Sequence, residues 1–120
     1  SGREFDKIKM NKYIRGYGNG SAQLMILSEC PTADDVSADR LFSKSRELDI
    51  LLREAGINRS DCWLTSVSKF HVPPNEGKKK IPFPIRAKQV EVDIPTQLQE
   101  LQTEISSVNP NCILAIGKTG

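Results

Sequence analysis

The chain has 120 residues, of which 17 are Lys or Arg, 15 are Asp or Glu and 38% belong to the hydrophobic set. This length supports one compact domain, and the mixture of charged and apolar residues excludes a disordered or collagen-like chain. The longest apolar run, Cys112 to Ile116, is too short to cross a bilayer. No hydrophobic signal region opens the chain, Ser1 and Gly2 fit a tag remnant, and we expect a cytoplasmic protein.

The first elements are an N-terminal extension and a strand. Residues 1–18 are predicted as the extension and residues 19–120 as the folded domain. The glycine-rich segment 16–20 lacks the last glycine of a dinucleotide fingerprint and precedes a strand, so it is predicted as a flexible entry. Residues 23–28 form a short apolar run before Pro31, which favours a buried strand.

A helix and a second strand follow. Ser43 is predicted as the N-cap of the helix and Gly56 as its C-terminal stop. The β-branched and aromatic run 63–67 predicts the second strand. The apolar stripe of the helix consists of Leu41, Leu48, Leu51, Leu52 and Ala55.

The segment from 71 to 93 is predicted as a long, mobile loop, because four prolines and a lysine triplet leave little apolar surface to anchor it. Between Lys69 and Lys88 there are six basic residues and one acidic residue, Glu76. Such a stretch indicates either an anionic partner, most often a phosphate backbone, or a solvated loop.

The second helix begins near Pro95 and ends at Asn109 and Pro110, and the run 112–116 predicts a third strand. Alternation of strands and helices, with short apolar strands, is typical of a parallel sheet buried on both faces. Ligands bind such sheets at the C-terminal ends of the strands. The segments predicted at those ends are 28–35, 66–71 and 117–120. The apolar positions of the helix are Ile94, Leu98, Leu101, Ile105 and Val108.

The cysteines and the partial motifs exclude several kinds of site. Cys30, Cys62 and Cys112 are odd in number and widely spaced, so we expect buried, reduced thiols with neither disulfide nor metal. The sequence at 117–119 resembles the end of a phosphate-binding loop but lacks its first glycine. His71 is the only histidine, and no nucleophile motif accompanies it.

Four segments, taken in order and spacing, resemble the uracil-DNA glycosylase superfamily, above all its thermostable-type, family-four branch. They are residues 28–35 with Leu41 and Phe42 beyond them, 64–69, 72–75 and 109–117. The resemblance covers about residues 19–120. It implies an α/β protein, a three-layer α/β/α fold with a short central parallel sheet, truncated after the third strand.

The resemblance also implies roles for individual residues. Glu29, Asp34 and Asp35 match the carboxylates that orient or activate the water attacking the sugar. Phe42 matches the ring that stacks on a flipped-out base, and Ser66 stands where the family has a base-reading asparagine. The residues expected to lie along the DNA backbone are Lys69, Lys78, Lys79 and Lys80.

The chain also departs from the family pattern. The hydroxyl of Ser66 cannot present the paired donor and acceptor of an amide to a pyrimidine. Ser28 and Thr32 replace the two turn glycines. The cysteines of the family's iron–sulfur cluster have no counterparts, so no cofactor is expected. The family's His-Pro-Ser motif does not occur up to Gly120.

These observations favour a DNA-binding, glycosylase-like domain of a DNA replication or repair protein, weakly active or inactive as this fragment. The N-terminal module of a phage-type DNA polymerase is one such context. Two alternatives remain: an active base-excision glycosylase that hydrolyses the N-glycosidic bond of uracil in DNA, and an unrelated α/β protein-interaction module. The expected partner is DNA, with no membrane association.

Overall fold

The computed structural model of the chain describes residues 12–117, which include a four-stranded sheet. Its strands are β1 (Tyr17–Gly18), β2 (Leu24–Ser28), β3 (Trp63–Ser66) and β4 (Cys112–Ala115). The strand order is β1-β3-β2-β4, and β2 runs parallel to both β3 and β4. The three predicted strands and their parallel arrangement are therefore confirmed.

The first strand makes the sheet mixed, because β1 pairs with β3 in the antiparallel direction. Gly18 has a φ of 129°, and a Cβ atom there would collide with the carbonyl oxygen of Cys62. Upstream, the amide of Ile14 donates to the carbonyl of Lys69 at 2.8 Å, and the Ile14 side chain lies in the core. The prediction of a flexible entry was wrong, and residues assigned to the N-terminal extension contribute to the core.

Within residues 12–117, four helices and one short 3₁₀ turn accompany the strands. The helices are α1 (Ala33–Ala38), α2 (Arg46–Ala55), α3 (Phe83–Gln89) and α4 (Ile94–Val108), and the 3₁₀ turn is Arg59–Asp61. On one face of the sheet, Ile26 and Leu64 belong to a buried cluster with side chains of α1 and α2. On the other face, Met25 packs with Val108 of α4. The three-layer α/β/α architecture is confirmed.

The boundaries of the first predicted helix differ at one end. Gly56 is its left-handed C-cap, as predicted, with a φ of 69°. Its N-cap is Ser45, whose hydroxyl accepts a hydrogen bond from the amide of Leu48, and the predicted cap Ser43 instead bonds to Asp35. The additional helix α1 is opened by a capping box between Thr32 and Asp35, in which each side chain bonds the other residue's amide.

The segment 71–93 is anchored, contrary to the prediction. It contains α3, and Val72, Ala87 and Val92 form a buried apolar cluster. The partly buried residues Cys30 and Phe70 pack against this cluster. The prolines that indicated a loop lie before α3 or in its first turn. Proline is tolerated in the first turn because a backbone N–H at these positions would have no hydrogen-bond partner within the helix.

The cysteines occupy three different environments. Cys62 is buried and Cys30 is half-buried, but Cys112 is exposed, so the expectation of burial was wrong for Cys112. Cys112 begins β4, an edge strand of the described sheet, and most of this strand is exposed. No helix among residues 12–117 is both long and apolar enough to span a membrane.

These environments predict different thiol reactivities. Alkylation of the folded protein should modify Cys112 first and Cys62 last. Burial raises the pKa of the Cys30 and Cys62 thiols, which reduces the fraction of reactive thiolate at neutral pH. Peptide mapping by mass spectrometry at timed intervals measures the three rates, and the urea-denatured chain is the control. Equal rates for Cys62 and Cys112 in the folded protein would contradict this arrangement.

Candidate functional site

The candidate site lies where β2 and β3 end side by side. Ser28 pairs with Ser66, and the alignment continues beyond the strands, where the amide of Ser68 donates to the carbonyl of Glu29 at 2.9 Å. On the other side of β2, the amide of Ile116 donates to the carbonyl of Leu27 at 2.7 Å. The C-terminal ends of the parallel strands thus meet at one sheet edge, the usual ligand-binding position in α/β proteins.

Two further contacts join the segments that leave β2 and β3. His71 Nδ1 lies 2.8 Å from the carbonyl oxygen of Pro31, and because a carbonyl only accepts, Nδ1 carries the proton. The Cys30 thiol donates to the carbonyl of Val72 at 3.6 Å. Burial raises the pKa of the Cys30 thiol, so this group is a poor nucleophile at neutral pH. His71 and Cys30 therefore hold the edge together.

The three candidate carboxylates differ in their surroundings. Asp35 is buried: Oδ2 accepts from the amide of Thr32, and Oδ1 accepts from the amide and the hydroxyl of Ser43 at 3.0 and 2.8 Å. Asp34 is exposed and lies 3.7 Å from the ammonium of Lys44. Glu29 is exposed on the turn after β2, and its carboxylate has no protein partner among the described residues. Of the three, Glu29 is the carboxylate best placed to contact a water or a ligand.

Phe42 sits in a backbone conformation that is uncommon for a residue with a side chain, with a φ of 55°. Arg59 Nη2 donates to the carbonyl of Phe42 at 2.6 Å and to the carbonyl of Leu41 at 3.1 Å. The Leu41 carbonyl also accepts from the hydroxyl of Tyr17. Phe42 is 7% exposed and packs in the core cluster. Arg59 and Tyr17 hold this turn, and the sequence analysis missed both.

Ser66 and Lys69 both direct their polar groups to neighbouring protein atoms. The Ser66 hydroxyl is fully buried and donates to the carbonyl of Ser68 at 2.6 Å. The Lys69 side chain is 3% exposed; its ammonium donates to the carbonyl of Ser66 and lies 3.1 Å from Glu104 Oε1. The other carboxylate oxygen of Glu104 accepts from Trp63 Nε1 at 2.6 Å. Lys69 is thus turned into the protein.

The remaining three candidate lysines share a different environment. Lys78, Lys79 and Lys80 are exposed and precede α3. The segment that leads to them passes through Val72, which contacts Cys30 at the sheet edge. The structure therefore separates the inward-facing Lys69 from these three outward-facing lysines.

The fold and the edge geometry agree with the comparison to known families, in which the uracil DNA glycosylase superfamily model matches residues 15–120. The chain belongs to the uracil DNA glycosylase superfamily. Comparison with curated proteins finds no significant match. Membership excludes the alternative of an unrelated α/β module and makes DNA the relevant class of partner. The match begins at Arg15, just before the first described strand.

The described part of this superfamily domain also contains a cavity away from the turn that carries Glu29. No group of three potential metal ligands occurs among residues 12–117. A cavity of about 330 Å³ lies between the N-terminal segment and α4, and its lining includes Tyr13, Lys69 and Glu104. Trp63 and Glu104 contact this cavity from the α4 face of the sheet. It is therefore formed by different residues from the turn that carries Glu29.

Proposed function

We propose that this chain is a DNA-binding domain of the uracil DNA glycosylase superfamily that serves a replication or repair protein and removes uracil weakly or not at all. The observation that carries the proposal is the run of exposed lysines, Lys78 to Lys80, on the segment leaving the candidate site. A cluster of ammonium groups binds phosphates by releasing condensed counterions, without reading base sequence.

The charges around the run support this proposal. Among the described residues, none of the three lysines forms an ion pair with a carboxylate, so their charges are available to a ligand. Arg86 and Lys88 of the adjacent helix α3 add two basic groups. A phosphate backbone bound here would pass close to the turn that carries Glu29, where the family accommodates a flipped base.

The environment of Ser66 supports the weak or absent excision. Its hydroxyl is already bonded to the chain, and it replaces the amide with which the family reads the base. The second candidate function, active excision of uracil, is favoured by one observation, the exposed carboxylate of Glu29, which has no bonded partner in the described part of the chain. The proposal has three finer parts: the domain belongs to the thermostable-type branch, it is a module of a phage-type DNA polymerase, and it acts in the cytoplasm.

Replacing Lys78, Lys79 and Lys80 with alanine tests the proposal. The wild-type chain should bind single-stranded DNA with little sequence preference and with affinity that falls steeply with salt. Each lost phosphate contact should make the negative slope of log K against log salt shallower by about 0.7. Fluorescence anisotropy at several salt concentrations measures both quantities.

Arg53→Ala is the control, because this exposed arginine lies in the last turn of α2, which leads away from the candidate site. It should leave the slope unchanged. Wild-type binding that is insensitive to salt, or a triple variant with the wild-type slope, would refute the proposed function.

A further inference from the structure

The three exposed lysines lie on a loop that is closed by one side chain. The amide group of Asn75 donates through Nδ2 to the carbonyl of Ile81 at 3.2 Å, and Oδ1 accepts from the amide of Ile81 at 3.1 Å. Both polar ends of one side chain are therefore bonded to a single residue six positions away. We call residues 75–81 the lysine loop.

A second side chain fastens the lysine loop to the helix that follows it. Arg86 Nε donates to the carbonyl of Ile81 at 3.1 Å, and Nη1 donates to the carbonyl of Pro73 at 2.7 Å. The guanidinium also lies 5.6 Å from the centroid of the Phe83 ring. Arg86 thus contacts the chain on both sides of the lysine loop and joins them to α3.

The tip of the lysine loop is an ordered turn. The amide of Lys79 donates to the carbonyl of Glu76 at 3.1 Å, and Gly77 adopts a φ of 59°. Val72, which precedes the loop, and Ala87 of α3, which follows it, belong to one buried apolar cluster. The backbone that carries the lysines is therefore fixed at its tip and at both ends.

We propose that Asn75 and Arg86 are positioning residues that hold Lys78, Lys79 and Lys80 in a preformed array for the phosphates of a DNA backbone. The inference rests on the proposed function and adds the residues that organise it. A flexible loop loses backbone and side-chain freedom when it binds, and a loop that is already closed avoids most of that loss. Asn75 contributes to binding without a phosphate contact of its own.

The salt dependence of binding separates positioning from direct contact. Asn75→Ala and Arg86→Lys should each weaken binding of single-stranded DNA by about 5- to 30-fold. This is the loss expected when one or two side chains that order the loop before binding are removed. Their slopes of log K against log salt should equal that of the wild-type chain, because Arg86→Lys keeps its charge and Asn75 has none. Lys79→Ala should instead make this negative slope shallower.

Amide hydrogen exchange of the unbound protein gives a second readout. The amide of Ile81 should exchange faster in Asn75→Ala, while amides of β2 keep wild-type protection. Asn111→Ala is the matched control, because Asn111 is exposed and its side chain has no bonded partner among the described residues. The 5- to 30-fold loss of affinity should be absent from this control.

The outcomes distinguish this inference from the proposed function. Wild-type binding without salt dependence would refute both. Salt-dependent binding by the wild type, with unchanged affinity in both Asn75→Ala and Arg86→Lys, would overturn the positioning role alone. A shallower salt slope in both variants would also overturn it, since that result means lost phosphate contacts. If Asn75→Ala does not fold, Arg86→Lys decides the question by the same criteria.

Discussion

Replacing Glu104 with leucine is expected to lower the free energy of unfolding by about 3–5 kcal/mol, the range for breaking a buried ion pair by removing one partner. The Lys69 side chain is 3% exposed and that of Glu104 is 15% exposed, so water screens this pair only weakly. The substitution would leave the Lys69 ammonium with one hydrogen bond and the indole of Trp63 with none among the described residues. Urea denaturation followed by circular dichroism measures the change.

Two further variants make this result specific. Glu54→Leu removes an exposed carboxylate from α2 and should change stability by no more than about 0.5 kcal/mol. The double variant Lys69→Met, Glu104→Leu should recover most of the loss, because no uncompensated charge remains. A single Glu104→Leu variant as stable as the Glu54→Leu control would show that the pair is solvated and that Lys69 faces outward.

The second large effect concerns catalysis: the chain is expected not to release uracil from DNA at a rate well above background. The Ser66 hydroxyl is bonded to the Ser68 carbonyl, and the Asp35 carboxylate accepts three hydrogen bonds from the protein. At this edge, the exposed carboxylate of Glu29 has no protein partner among residues 12–117. In enzymes generally, loss of one preorganised stabilising group lowers the rate by about 100- to 1000-fold. In this chain Ser66 replaces the amide that reads the base, and the missing base reader lowers the rate of excision further.

Formation of abasic sites in uracil-containing single-stranded and double-stranded DNA measures this activity. Glu29→Gln is the matched control, because it keeps the size of the side chain and removes the charge. We expect the two proteins to give the same background signal. Robust turnover by the wild-type chain that Glu29→Gln abolishes would show that excision occurs without an amide at position 66.

The three parallel strands β2, β3 and β4 were predictable because each is a short apolar run bounded by polar residues or proline, and their ends differ from prediction by one residue, whereas the two-residue strand β1 contains no such run and was not predicted. Helix α1 was not, since its six residues carry no apolar periodicity and depend on the capping box of Thr32 and Asp35. The segment 71–93 was misjudged because its apolar anchors, such as Val72 and Ala87, are isolated in sequence and meet only in the fold.

The site residues show the same division between local and long-range causes. A run of charged residues is enough to predict exposed lysines, and Lys78 to Lys80 are exposed in the structure. Lys69 belongs to the same basic stretch but is buried, where it pairs with Glu104. Glu104 lies on α4, which is distant from Lys69 in sequence. The bond between Asp35 and Ser43 is also tertiary. A single sequence carries no signal for either partner.

Lysine acetylation footprinting tests the central claim most directly, by measuring which ammonium groups DNA shields. The chain is labelled with and without single-stranded DNA, and mass spectrometry measures the acetylation of each lysine. We predict that DNA protects Lys78, Lys79 and Lys80, that the exposed Lys12 stays equally reactive, and that Lys69 reacts poorly in both samples because it is buried. Unchanged labelling of the three loop lysines in a sample in which DNA is bound would contradict the account.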